Sequence, residues 1–466
     1  MSSLFILIGF AAVMITVSWA SRRQRLESNV SEFLLSSRDV GVVRGAFSIA
    51  ISWVWAPAIF IAGLQAYTLG LAGAFWFIIP NILCFFLFAQ VAKRLRKDFP
   101  EGFTLPEFIK HRFKSTRLHR AFLVIFFGYQ LSAITINSVA GGTLIHLLTG
   151  MNFSLAVLAI SGTALLYSIV GGFRASLLTD VIQMVIVLGL AGFMVPWVIS
   201  EAGGLSSISG GLAGIDGVGR SILNPHLAWT FGIPMTLGLL AGPLGDQQFF
   251  QRAFAVKQDA VSATFNLGGM LFGLIPILLC LFGFIAANPN LSIEVIDPQM
   301  VAPAVITHFL PAWALGLFTL MAFAGLCSTI DSAYCALSSF AIADISHDSS
   351  PRKQIAQARW MMLFMGILGT GIALLQPQLL WIFLIYGALV SAGFFPTLFS
   401  VFSRNYSEKA AFWSVVLGLV IGLPLSVYSN VSGHENLVVW AAILSVAIGL
   451  VISLLSLTSR SAPSRI

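Results

Sequence analysis

Residues 325–332, GLCSTIDS, put three hydroxyls and one carboxylate on a short stretch: Ser328, Thr329, Asp331 and Ser332. At helical spacing Ser328 shares a face with Asp331 (i, i+3) and Ser332 (i, i+4), and Thr329 lies beside it. Such oxygen ligands, without nitrogen, suit a hard monovalent cation. A lone serine in a membrane helix more often bonds back to its own i−4 carbonyl or glues helices together. Three hydroxyls beside an acid within five residues weaken that ordinary explanation. A second acid, Asp180, falls in the run GGFRASLLTDVIQ at 171–183, and a third, Asp246, stands beside Gln247, Gln248 and Arg252.

The elements that position these groups follow from composition. The 466 residues are 58% hydrophobic and only 9% charged, with a mean hydropathy of +0.92. Apolar runs recur from end to end and are continuous rather than alternating, which predicts membrane helices and not a barrel. Thirteen candidate spans result: 3–20, 45–69, 72–92, 121–148, 153–171, 176–199, 228–250, 261–287, 312–342, 357–375, 379–402, 411–428 and 437–457. With the amino terminus outside, 24 of the 25 basic residues fall on inside segments, and only Arg220 lies outside. The expectation is therefore an all-α polytopic membrane protein with its carboxyl terminus in the cytoplasm. The net charge of +7 reads as topology and contact with anionic inner-leaflet lipid, not as nucleic-acid binding.

In that frame an ionised carboxylate within a span costs several kcal/mol unless a cation or proton accompanies it. Asp331 lies deep in the span 312–342. Asp180 sits a turn or so into its helix, so position alone leaves a structural and a functional role open. Asp246, near the inner boundary, reads as a helix-end aspartate bonded to backbone amides. Pro57, in the middle of 45–69, removes a donor and frees carbonyls near Trp53. Interrupted helices of this kind are where transporters expose backbone carbonyls to ions.

Other classes find little support. The longest pieces outside the spans, 21–44, 93–120, 200–227 and 288–311, are too short for a catalytic domain. No phosphate-binding G-x-x-x-x-G-K-[ST] loop and no T-V-G-Y-G filter is present. Cys84, Cys280, Cys327 and Cys335 are scattered singly and read as small core residues. The first apolar run lacks a basic n-region, against a cleaved signal peptide. No nucleophile, base and orienting group converge, against an enzyme.

GGFRASLLTDVIQ resembles the G-G-x-x-A-x-x-x-T-D-x-x-Q signature of the sodium:solute symporter family. AGLCSTIDSAYCALSSFAIADI is similar to that family's serine-rich helix, and QRAFAVKQDA to its Q-R-x-x-A-x-K segment. The resemblance implies a LeuT-type fold of two inverted five-helix repeats, one extra helix before them and two after. The implied divisions are 1–44, extra helix and cytoplasmic linker; 45–200, first repeat; 201–227, extracellular loop; 228–402, second repeat; and 403–466, two added helices. Pro234 and Pro243 mark 228–250 as the interrupted partner of 45–69.

The same resemblance implies a first sodium site from carbonyls of Ile51, Val54 and Gly325 and hydroxyls of Ser328 and Thr329. A second site, for sodium or a proton, would use Asp180, Ser328, Asp331 and Ser332. Asp331 stands where several family members carry serine. The implied function is sodium-coupled symport by alternating access, in a bacterial inner membrane, with sodium as the coupling ion and a small solute as cargo. At 100 mV one inward charge supplies about 2.3 kcal/mol, roughly a 50-fold gradient for a neutral solute.

Trp53, Trp55, Trp76, Phe77, Gln247, Gln248 and Tyr386 are the candidate substrate contacts. No Arg or Lys falls in an expected midplane segment, so neutral polar solutes fit better than strong anions. SWVWA, DQQFFQRAFA and WIFLIYGALVSAGFFP are most similar to the urea-type branch, with amino acids, carboxylates and sugars as alternatives. A membrane sensor is the competing class. Some relatives fuse a similar domain to a signalling kinase, whereas this chain runs only to SLTSRSAPSRI after its last helix, which favours the transporter.

Overall fold

The computed structural model describes residues 2–21, 29–346, 348, 350–377 and 379–458. Arg22, Arg23, Arg25, Arg460 and Arg465, used above for topology, lie outside the described residues. Among the described residues there is no β-strand, only an isolated parallel bridge between Val40 and Val256. Nine helices among the described residues are long and apolar enough to cross a membrane, and Phe5–Ser21, Val42–Ser52 and Tyr386–Phe402 are shorter apolar helices.

Helices that matter for the site are α1 (Ser2–Ser21), α2 (Val42–Ser52), α3 (Ala62–Asp98), α4 (Leu105–Phe113), α5 (Thr116–Thr149) and α6 (Phe153–Glu201). They continue as α7 (Ile233–Ala241), α8 (Gln247–Ala255), α9 (Val261–Ala286), α10 (Ala314–Phe340), α11 (Pro351–Leu374) and α12 (Leu379–Phe402).

At 1.5 Å per residue, 49-residue α6 is more than twice as long as one crossing of the hydrocarbon needs. It folds back at Gly172, and α3 does the same at Gly70, both with φ near +57°. Only glycine adopts that backbone cheaply, and both sites are tight. A Cβ would lie 2.4 Å from the Leu212 carbonyl at Gly70 and 2.7 Å from the Phe33 ring at Gly172. Asp180 therefore belongs to the second arm of α6, two turns past the bend.

Two helices are broken where the prolines foretell it. After α2 the chain leaves the helix at Trp53–Trp55, and Pro57 opens a π-helical turn, Pro57–Ile61, that leads into α3. After α7 the chain tightens through Gly242–Gly245 around Pro243, becomes extended at Asp246 and resumes as α8. The hydroxyl-rich helix α10 is buried almost throughout and packs chiefly against α6 and α5. The four cysteines are free and buried, as expected of core residues.

Candidate functional site

Gly325 lets α10 approach the first break. A Cβ there would stand 2.9 Å from Val54 Cγ1 and 3.4 Å from the Val54 carbonyl oxygen. One turn later the Thr329 hydroxyl lies 3.3 Å from the carbonyls of Ser52 and Val54 and 3.4 Å from that of Gly325. Three carbonyl oxygens from a helix break and a facing helix thus gather around the Thr329 hydroxyl, an all-oxygen set that suits an alkali cation. Of the first-site residues expected from sequence, Val54, Gly325 and Thr329 meet here. The Ser52 carbonyl takes the place expected of Ile51, whose oxygen accepts the Val54 amide at 2.9 Å inside the turn.

Ser328 faces the other way and donates to Asp180 Oδ1 at 2.6 Å. Around Asp180 the structure brings in a basic residue that the sequence places just past the span 228–250. Arg252 is almost wholly buried, its Nη2 2.9 Å from Asp180 Oδ2 and 2.7 Å from Ser332 Oγ. Its Nε donates to Ser48 Oγ at 2.8 Å, and Ser48 in turn donates to Asp180 Oδ2 at 2.5 Å. The guanidinium also lies 5.5 Å from the Phe173 ring. A resident side chain supplies the counter-charge of Asp180. Asp331, the other acid, is held by hydroxyls: Ser176 at 2.9 Å, Ser332 at 3.2 Å and Thr179 at 3.4 Å.

On the opposite side of the first break, Trp53, Trp55, Phe77, Tyr129 and Tyr386 enclose a box that also touches Asn81, Pro57, Ala58 and Leu239. Trp55 stacks obliquely on Tyr129 at 5.2 Å and Tyr386 at 5.5 Å, and the two tyrosines meet edge to face at 5.3 Å. The Trp53 indole is fixed by Asn81 Oδ1 at 2.9 Å, and the Ala56 amide at the break donates to Asn137 Oδ1 at 2.8 Å. The box holds about 20 Å³, room for roughly one water-sized group before side chains move. Outside it opens a cavity of about 420 Å³ sharing Pro57, Leu239 and Tyr386 and reaching Gln299 in the 288–311 loop. Beneath it Trp53 packs edge to face on Phe249 at 4.9 Å, and Phe249 packs on Phe85 and Phe88.

Trp53, Trp55, Phe77 and Tyr386 therefore converge as the sequence implied. Trp76 lies apart, its indole donating to the Ile222 carbonyl at 3.1 Å, and Gln247 Nε2 turns to the Phe103 carbonyl at 2.7 Å. Gln248 joins Asp246 and Gln130 below the box. Asp246 is the N-cap of α8, accepting the Gln248 amide, which is the helix-end role expected of it. Asn81, Tyr129, Gln130, Asn137, Ser48 and Arg252 were missed from sequence. The first four are polar groups inside apolar spans, the same signal that exposed the acids.

At one end of the bundle, α4 is tethered to the end of the α10 rod. Thr104 caps α4, its hydroxyl accepting the Glu107 amide at 3.0 Å and donating to Asp344 at 2.8 Å. Glu107 accepts the Phe103 amide at 2.8 Å, and the His119 ring meets Asp344 at 2.6 Å. Burial pushes the Glu107 carboxyl up to about 7, helped by the nearby Asp344 charge and opposed by the Phe103 amide and Arg38.

Residues 33–418 match the family described as the Sodium:solute symporter family. The chain is 25% identical over 448 residues to the probable urea active transporter 1 of Schizosaccharomyces pombe, covering 89% of this chain and 67% of that protein. It is 22% identical to the urea-proton symporter DUR3 of Oryza sativa, covering 90% and 64%. To the sodium/pantothenate symporter of Escherichia coli it is 24% identical, covering 89% and 88%. The chain thus spans about two thirds of the length of the urea-transporting relatives. A Na+-coupled sialic acid symporter, solved substrate-bound and outward-open, superposes with a TM-score of 0.83 at 19% identity over 99% of this chain and 98% of that one. The fold is LeuT-type.

Proposed function

Because the chain belongs to the sodium:solute symporter family and is a multi-pass membrane protein, we propose that it is a secondary active symporter that couples a small neutral solute, of the urea type, to sodium. The observation that carries this reading is the cradle of Ser52, Val54 and Gly325 carbonyls closed by the Thr329 hydroxyl at the first break. An ion there ties α10 to the break. The break also forms one wall of the aromatic box through Trp53 and Trp55. Sodium that stabilises this arrangement raises solute affinity, and the solute raises sodium affinity by the same factor.

The box and the outer cavity support entry from the outside, with Phe249 and its aromatic neighbours closing the inner path. The divisions of the chain into 45–200 and 228–402 repeats, the extra helices, the outside amino terminus, the cytoplasmic carboxyl terminus and the inner-membrane location belong to the same proposal. Arg252 supports a stoichiometry of one sodium, because its guanidinium takes the Asp180 and Ser332 oxygens that a second ion would need.

A second reading gives the coupling cation, sodium or a proton, to Asp331. It is favoured by the hydroxyl cage of Ser176, Thr179 and Ser332 around that acid, and the rice relative is named for urea-proton symport. Uptake of labelled urea into proteoliposomes, driven in turn by a sodium gradient and by a pH gradient, tells sodium from proton as the coupling cation, and a sodium dependence lost in Asp331→Asn but kept in Thr329→Ala would give a sodium ion to Asp331. Equal uptake without either gradient would remove both.

A further inference from the structure

The second break carries a polar ring that the cation cradle does not use. Asp246 Oδ1 accepts from Gln130 Nε2 and from the Gln248 backbone amide, both at 2.9 Å, and Gln248 Nε2 donates to Gln130 Oε1 at 3.1 Å. All three residues are fully buried. The ring uses N–H groups of both glutamines internally and leaves oxygens over. Asp246 Oδ2, Gln248 Oε1 and the Tyr129 hydroxyl are buried without a hydrogen-bond partner among the described residues. Tyr129 and Tyr386, which wall the aromatic box, are both within electrostatic range of Asp246.

Buried polar oxygens without a partner are costly, and a carboxylate oxygen most of all. Here the leftover set is two acceptors and one hydroxyl able to donate; the hydroxyl belongs to the aromatic wall of the box, and Asp246 lies within electrostatic range of it. A flat molecule with N–H groups to give and one carbonyl oxygen to receive meets all three. A carboxylate would be repelled by Asp246.

We propose that Asp246 Oδ2, Gln248 Oε1 and the Tyr129 hydroxyl bind the transported solute directly, and that this solute belongs to the amide and urea class. The aromatic faces select its planarity and the three oxygens select its N–H groups. This deepens the transport reading above and rests on it.

The test uses the full chain in detergent and in proteoliposomes, with urea, methylurea, acetamide and tetramethylurea as probes. Binding is read by tryptophan fluorescence, since Trp53 and Trp55 line the box, and transport by uptake of labelled urea. Asp246→Asn keeps an oxygen for the two ring N–H groups and puts an N–H donor where Oδ2 stood. Its half-saturating urea concentration rises at least tenfold, Tyr129→Phe raises it several-fold, and half-saturating sodium, read by fluorescence in the absence of urea, stays within twofold of wild type. Tetramethylurea, which has no N–H, competes at least tenfold more weakly than urea in wild type.

Unchanged urea affinity in both variants overturns the assignment, as does a sodium shift in Asp246→Asn with urea affinity intact, which would give the free oxygen to an ion. Should Asp246→Asn fail to fold, Tyr129→Phe decides alone. A wild-type protein that binds none of the N–H probes overturns the solute class. Its uptake of some other solute would leave the transport reading standing.

Discussion

Arg252 Nη2 lies 2.9 Å from Asp180 Oδ2, and both side chains are buried to within 1% of their surface. The pair joins α8, which follows the second break, to the bent arm of α6, with Ser48 of α2 bonded to both groups and Ser332 of α10 to the guanidinium. Four elements therefore converge on one ion pair. Its attraction offsets a large desolvation penalty, so removing one partner is far worse than removing both.

Arg252→Gln is expected to cost about 3–5 kcal/mol of stability, the usual result of stranding a buried charge. Asp180→Asn together with Arg252→Gln is expected to recover part of it. Thermal unfolding in detergent measures both. A single variant as stable as wild type would show that the pair is not closed in the native protein.

Glu107 predicts a pH effect where α4 meets the end of α10. Its carboxyl is raised from an ordinary 4.5 to about 7, so the folded protein holds a proton there that the unfolded chain has released. Between those values folding binds more protons than unfolding, and stability falls as pH rises through that window. Glu107→Gln keeps an acceptor for the Phe103 amide and removes the charge. Unfolding temperatures compared from pH 5 to pH 8 should therefore drop less in the variant than in wild type. Parallel profiles would contradict the burial of Glu107 against Asp344.

Gly325→Ala tests the approach of α10 to the first break. The new methyl group meets Val54 Cγ1 at 2.9 Å, and overpacking of this kind costs about 1–3 kcal/mol. Relief comes by moving Val54, whose carbonyl belongs to the cradle. Half-saturating sodium for uptake is expected to rise several-fold in this variant, while an alanine at Gly162, which has open space around it, leaves it unchanged.

The helices, the break at Pro57 and the polar face of α10 were legible because each is a local signal: apolar length, a missing donor, hydroxyls at helical spacing. Trp53, Trp55, Phe77 and Tyr386 were legible as aromatics on the implied pocket helices. Arg252 was not, because its neighbours QQFFQRAFA read as a helix running into the cytoplasm. Only the fold shows that this segment, past the break at Gly242–Asp246, brings its arginine against α6 and α10. Trp76 and Gln247 lie apart from the box for the matching reason, since sequence gives the helix but not the direction of the side chain. The bends at Gly70 and Gly172 were anticipated as short gaps between spans, although each proves to be one glycine in a continuous helical run.

Thr329 is the side chain that closes the cradle, so the sodium dependence of urea uptake in wild type and Thr329→Ala proteoliposomes, at fixed pH and with an imposed sodium gradient, tests the account most directly. It predicts uptake that rises with sodium in wild type and a half-saturating sodium concentration at least tenfold higher in Thr329→Ala, with Thr329→Ser close to wild type. Wild-type uptake indifferent to sodium, or a Thr329→Ala protein with unaltered sodium dependence, would contradict it.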